Sequence, residues 1–199
     1  MTAHTRFIKG LRIAASFALL AAILACGGSD SSDEPPPVEP TPPPAPAPPP
    51  TGVGATNGPP ESTTTTNVAL RTGFMPDPHT VNVVAGGTAR AMDMDPSCRG
   101  YLPAVPQVTF NAGTDFSNLR VLANGGTTDT TLVIRQPDGT YRCDDDGGEG
   151  LQPQVGGAWG PGTYQVYVGV YQSGRTAHTS VGFTELSSVT TSSLTVPTQ

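Results

Sequence analysis

After Lys9 the chain contains no lysine, and its 199 residues hold three cysteines, three histidines and one tryptophan. Each scarcity excludes something. Two of the histidines, His79 and His178, lie beyond the N-terminal thirty residues, and neither a Gly-x-Ser-x-Gly nor a Gly-Asp-Ser-Gly motif accompanies them. A serine-hydrolase triad, which needs a nucleophile, a histidine base and an orienting acid, has no visible frame. No glycine-rich loop opens a helix, so there is no phosphate cradle. No window sustains a 3.6-residue apolar period, which argues against a helical domain. The cysteines come without a second Cys-x-x-Cys or a Cys/His pair, the spacing a zinc or iron–sulfur site requires. With Asp and Glu exceeding Lys and Arg by 16 to 10, the chain is also poorly suited to nucleic acid.

What is present begins with a leader, residues 1–25. Arg6, Lys9 and Arg12 precede an apolar run from Ile13 to Ala25 broken only by Ser16. That run falls short of the roughly 20 residues that span a bilayer and fits the core of a secretory signal. It ends in Ile23-Leu24-Ala25-Cys26, which resembles the lipobox of bacterial lipoproteins. The resemblance implies that Cys26 becomes a lipidated N-terminus. Stable attachment needs more than one acyl chain, and such lipoproteins carry several on this cysteine. Gly27 stands where an Asp would favour inner-membrane retention, so the expected location is the outer membrane, on its periplasmic or surface face. Loss of the leader's three cations takes the formal charge from −6 to −9, unfavourable for anionic headgroups as well.

Residues 26–66 contain the cysteine and a Pro/Ser/Thr-rich stretch with almost nothing apolar to bury, which predicts a disordered tether. Its proline-rich part favours polyproline II at about 3.1 Å per residue, so the spacer reaches at most roughly 120 Å. From residue 67 the pattern changes. Alternating apolar positions appear in Val81/Val83, Val108/Phe110, Leu119/Val121, Leu132/Ile134, Tyr164/Val166/Val168/Val170 and Val181/Phe183, punctuated by Ala-Gly-Gly, Asn-Gly-Gly, Pro-Asp-Gly and Gly-Pro-Gly. Period-2 runs between such turns are strands. About seven or eight in residues 67–187 predict an antiparallel β-sandwich of jelly-roll or Greek-key style. Residues 188–199 read as a polar tail.

Within that domain an exported compartment favours a Cys98–Cys143 disulfide. Closing that 45-residue loop is worth about 4 kcal/mol in the chain-entropy model. Directly after Cys143 come Asp144, Asp145 and Asp146, then Glu149. Ca²⁺ takes six to eight oxygens at about 2.3–2.6 Å. These four acids, with Asp129 and Asp138 approaching from neighbouring turns, are the candidate ligands. The stretch is not an EF-hand, because aligning Gly147 to the sixth position puts Arg142 at the first. The competing reading is a solvated acidic turn whose repulsion Arg142 or Arg135 damps. Trp159, in a glycine-rich loop, is either a plug over one end of the sandwich or a binding hot spot. Tyr167 and Tyr171 fall on the face opposite the Val166/Val168/Val170 stripe and, if exposed, form an aromatic patch for carbohydrate or protein.

The segment Asp129-x-x-Leu132-x-Ile134, the turn Pro137-Asp138-Gly139, the acidic run Asp144–Asp146 and the strand Gly162-x-Tyr164-x-Val166-x-Val168 together resemble the bacterial pre-peptidase C-terminal domains. The resemblance covers residues 70–186, with the region around Cys98 fitting the same layout. It implies a compact β-sandwich, usually non-catalytic, sometimes calcium-binding, and sometimes an aid to substrate or surface attachment. No peptidase domain precedes the module here. The expected function is a non-catalytic, lipid-anchored envelope module for binding or adhesion, contacting an envelope protein or glycan. The alternatives are a structural envelope-accessory protein without a dedicated ligand, and an unrecognised secreted hydrolase or peptidase accessory domain.

Overall fold

The computed structural model describes residues 59–198. The leader, Cys26 and most of the expected tether lie outside the described residues. Eleven strands form in chain order: β1 (Thr66–Leu70), β2 (His79–Ala85), β3 (Ala89–Arg90), β4 (Tyr101–Leu102), β5 (Val108–Ala112), β6 (Phe116–Asn124), β7 (Thr130–Arg135), β8 (Tyr141–Asp144), β9 (Gln154–Trp159), β10 (Gly162–Val170) and β11 (Ala177–Thr184). They make two sheets, seven-stranded and four-stranded, as the alternation predicts.

In the larger sheet β10 is the hub. Its first half pairs antiparallel with β5, Val166 opposite Val108, and its second half with β7, Val168 opposite Leu132. β1 adds to β5 in parallel, β8 adds to β7, and β3–β4 join β10 at Val170 opposite Tyr101. The smaller sheet runs β2-β11-β6-β9. The inward stripes of both sheets interleave in one core that includes Phe110, Leu119, Val121, Leu132, Ile134, Val166, Val168, Val181 and Phe183. Burying each such side chain is worth about 1.5–3 kcal/mol.

Both outer faces are also covered, and here the sequence reading needs correction. Val133 and Tyr167 point out of the larger sheet and pack under Ala91, Cys98 and Leu102, which Cys98 ties to Cys143 across a Cα–Cα distance of 5.3 Å. On the smaller sheet Leu122 is covered by Val189 and Leu194 from the supposed tail, with Asn124 donating from Nδ2 to the Leu194 carbonyl at 2.8 Å. The tail's polar composition hid two anchoring aliphatics. The domain also starts earlier than residue 67. Glu61 accepts from the Ala104 N–H at 2.9 Å, and Thr65 donates to the Pro106 carbonyl at 2.6 Å. These are backbone partnerships, which composition does not report.

A buried amide mends the larger sheet where β5 gives way to β4. Gln107 is 1% exposed. Its Oε1 accepts from the Val168 N–H at 2.9 Å, while Nε2 donates to the carbonyls of Val168 and Val84 at 2.8 and 3.0 Å. The side chain thus serves as a stretch of strand, meeting ladder groups that burial would otherwise leave unpaired.

Candidate functional site

The strands divide the loops between two ends. β1–β2, β5–β6, β7–β8 and β9–β10 turn at one end, the far end. The β6–β7 loop (residues 125–129), the β8–β9 loop (residues 145–153) and the β10–β11 loop (residues 171–176) gather at the other. Residue Pro59, where the described chain begins, lies at this second end, its carbonyl accepting from the Thr176 hydroxyl.

Gln152 organises the near-end loops. It is buried and meets its whole hydrogen-bonding capacity. Oε1 accepts from the Gly125 N–H at 2.8 Å and the Thr130 hydroxyl at 2.9 Å, while Nε2 donates to the carbonyls of Gly126 and Thr128 at 3.2 and 3.0 Å. The β8–β9 loop therefore holds the β6–β7 loop in one arrangement. Asp129 follows from that arrangement. Its backbone carbonyl accepts from the Tyr171 N–H at 3.1 Å, tying in the third loop. Its carboxylate Oδ1 is buried and has no hydrogen-bond partner. Burial, then the charges of Asp146 and Asp145, push the carboxyl above its ordinary value. Asp129 lines a cavity of about 170 Å³ with Thr127, Thr128, Leu151, Val170, Gln172 and Arg175. Leu151 is 52% exposed at its rim.

The six acidic candidates do not converge. Asp138 caps the β7–β8 turn at the far end, its Oδ1 taking the Thr140 N–H and hydroxyl at 2.9 and 2.7 Å. Those bonds, the hydroxyl's first, hold its carboxyl below the usual range. Gly139 follows at φ 87°, the left-handed conformation this turn demands of a glycine. Asp144 is spent on its own loop, its Oδ2 accepting from the N–H groups of Gly147 and Gln154 at 2.7 and 2.8 Å. Glu149 accepts from the Ser192 N–H at 3.1 Å, and bonding from Ser192, the hydroxyl first, lowers its pKa. That leaves Asp129, Asp145 and Asp146 as mutual neighbours by charge. Among the described residues no cluster of three or more His, Cys, Asp or Glu is arranged to hold a metal ion. The six expected calcium ligands are thus not brought together: the β7–β8 hairpin separates Asp138 from the rest along its length, and local backbone donors engage Asp144 and Glu149.

Arg142 does not damp the aspartates either. Its guanidinium lies 4.6 Å from the Trp159 ring centroid and donates to the Gly156 and Ala158 carbonyls, stapling β8 to β9. Trp159 is 2% exposed, and its Nε1 donates to the Leu119 carbonyl at 2.8 Å. It is the plug, not the hot spot. The aromatic patch is corrected in the same way. Tyr167 is 8% exposed under the disulfide-pinned segment, and Tyr171, at 49%, stands alone. A period-2 pattern shows that Tyr167 leaves the inner face, but not that a later loop covers the outer one.

The histidines are also apart. His79 sits at the far end against Phe183, with ring centroids 6.4 Å apart, while His178 pairs with Val84 near the other end of the same sheet. Signals for the cavity were weak: Leu151, Gln172 and Arg175 belong to no motif, and only Asp129 stood out in the sequence.

The fold is that of a two-sheet antiparallel β-sandwich with one parallel edge pairing, and its candidate site is a loop cleft at one end. No family model matches the chain, and no curated protein matches it. Among solved structures it is similar to the pre-peptidase C-terminal domain of collagenase from Bacillus anthracis. That likeness has 12% identity and a TM-score of 0.39, and covers 62% of this chain and 99% of that one. At those values it carries no argument about function, and the fold class rests on the two sheets themselves.

Proposed function

We propose that this chain is a non-catalytic, lipid-anchored cell-envelope module that binds a ligand in the cleft between its β6–β7, β8–β9 and β10–β11 loops. Cys26 carries the anchor, and the proline-rich segment holds the sandwich off the outer membrane. The observation that carries the binding role is the Asp129 carboxylate. A buried acceptor left without a donor costs about 1–3 kcal/mol, more when charged. Buried polar groups are otherwise almost always paired. Here the unpaired oxygen belongs to a residue lining an open cavity with a basic side chain and an exposed aliphatic one. A cationic or donor group brought to this carboxylate from the cavity offsets part of that cost by balancing its charge.

Two experiments test the reading. Cys26→Ala is expected to move the protein from the membrane to the soluble fraction, and continued membrane attachment refutes the anchor. For binding, the full chain in detergent is passed over solubilised envelope proteins and envelope glycans, with Asp129→Asn and Leu151→Ser in parallel. Retention that both substitutions weaken supports the cleft. Failure of wild type to retain anything favours the accessory protein without a dedicated ligand. The same assay with and without Ca²⁺ tests the calcium alternative, which predicts retention only with the ion.

A further inference from the structure

Resting on the reading of the cleft as a binding site, we infer that it takes a small zwitterion of the α-amino-acid class, its ammonium on Asp129 and its carboxylate on Arg175.

The cavity lining carries both signs of charge. Asp129 contributes a carboxylate whose buried Oδ1 has no partner, and Arg175 is exposed without pairing with it. A ligand of one sign meets an obstacle. A bare divalent cation gains from the field of Asp145 and Asp146 but faces the Arg175 guanidinium, and finds one carboxylate on the cavity lining where about six oxygens are needed. A simple anion faces Asp129, with Asp145 and Asp146 adding to the same field. A molecule carrying an ammonium and a carboxylate a few ångströms apart meets a favourable charge at each pole, in charge-assisted hydrogen bonds about twice as strong as neutral ones.

Size and polarity narrow the class further. About 170 Å³ is below the roughly 300 Å³ where drug-sized pockets begin. It equals about six waters at their liquid volume of ~30 Å³ each, which is room for an amino acid but not for a sugar chain. Leu151, 52% exposed, offers an apolar surface for an aliphatic stem, with Val170 buried behind the cavity wall. Thr127, Thr128 and Gln172 supply further polar partners. Because Gln152 has all its bonds made to the β6–β7 loop and to Thr130 at the start of β7, the acidic pole is held in place before the ligand arrives, which limits the ordering cost of binding.

The same zwitterion can come free in solution or as the free amino-acid end of an envelope polymer. Titration of the full chain in detergent, read by calorimetry or by shifts of the near-end amides, uses L-norleucine, norleucine amide and hexanoate. The amide lacks the carboxylate and hexanoate lacks the ammonium. Norleucine is expected to bind, and each truncated probe to bind at least about tenfold more weakly, as loss of a charged hydrogen bond implies. Asp129→Asn and Arg175→Gln should each weaken norleucine by a similar factor. Arg175 is exposed, so its variant keeps the test valid should Asp129→Asn fold poorly. Sedimentation with peptidoglycan sacculi, competed by norleucine, assigns the polymer-borne source, whereas norleucine binding without sedimentation assigns the free one. Equal binding of norleucine and hexanoate, or no response to any probe, overturns the inference. So does coupling of Asp129→Asn with Arg175→Gln in ligand-free melting, the mark of an internal ion pair. Retention of an envelope partner that Asp129→Asn and Arg175→Gln leave intact overturns the zwitterion while the binding module stands.

Discussion

At the far end of the sandwich Phe110, Phe116, Trp159, Tyr164 and Phe183 pack ring against ring, with centroids 5.0 to 6.2 Å apart. At the near end, beside Pro59, the interior is closed by two side-chain amides, Gln107 and Gln152. The first solution is bulky and only loosely directional, so the loops above it are free to vary. The second demands that every donor and acceptor be met, so its loops have one arrangement. Buried oxygens of Asp77, Asp129 and Thr131 are left unmet, and of these residues Asp129 is the one that lines the cleft. The comparison teaches that this domain separates the end that holds it together from the end that presents its open chemistry.

The largest test of that division is Trp159→Ala, which removes the plug, the indole donor to the Leu119 carbonyl and the ring beside the Arg142 guanidinium. It should cost about 3–5 kcal/mol in denaturant unfolding, and a loss below about 1 kcal/mol would dissolve the distinction between the ends. Replacing Cys98 and Cys143 together by alanine comes next, at about 2–4 kcal/mol for a typical bridge. The amides of the β8–β9 loop should lose hydrogen-exchange protection before those of the β1–β2 loop, and uniform loss would show that the pin serves the whole sandwich. Gln152→Leu and Gln107→Leu should each cost about 1–3 kcal/mol through stranded backbone groups. Gln152→Leu should broaden the near-end resonances, whereas equal broadening at both ends would refute its role in ordering those loops.

The smallest effect has the opposite sign. The Asp129 carboxyl lies above its ordinary 3.8 in the folded chain, so folding favours its protonated form. The stability this confers is present below about that pH and is lost as pH rises through the raised value. Ionised Asp129 is therefore a burden at pH 7, and Asp129→Asn should melt slightly higher there, with the gap closing as pH falls toward the ordinary carboxylate range. A lower melting point for Asp129→Asn at pH 7 would mean that the carboxylate is paired after all.

Much of the core was legible because period-2 runs such as Tyr164-Val166-Val168-Val170 announce both a strand and its inward face. β9 was not, since Gln154-Val155-Gly156-Gly157-Ala158-Trp159 offers no alternation strong enough to outweigh its glycines. β8 was masked by the acidic turn it runs into. The disulfide was legible from compartment and number. The cleft was not, because it is assembled from three loops more than twenty residues apart in pairs such as Asp129–Leu151 and Leu151–Gln172, and no local pattern encodes such a meeting. The acids that caught the eye were legible as charge only. Which of them the backbone would claim depended on turns that composition does not specify.

The bond between the Thr176 hydroxyl and the Pro59 carbonyl has a mechanical consequence. Thr176 follows Arg175 directly, so the point where the chain comes in and the basic wall of the cleft are one residue apart. On the reading proposed here, a pull between an anchored membrane and a captured ligand would run through this short bracket. It would bypass both the ring-packed far end and the Cys98–Cys143 crosslink. While that bond held, the sandwich would bear little of the load; once it broke, the covalent chain through residues 60–65 would pass the pull to β1 and, through its pairing, to β5.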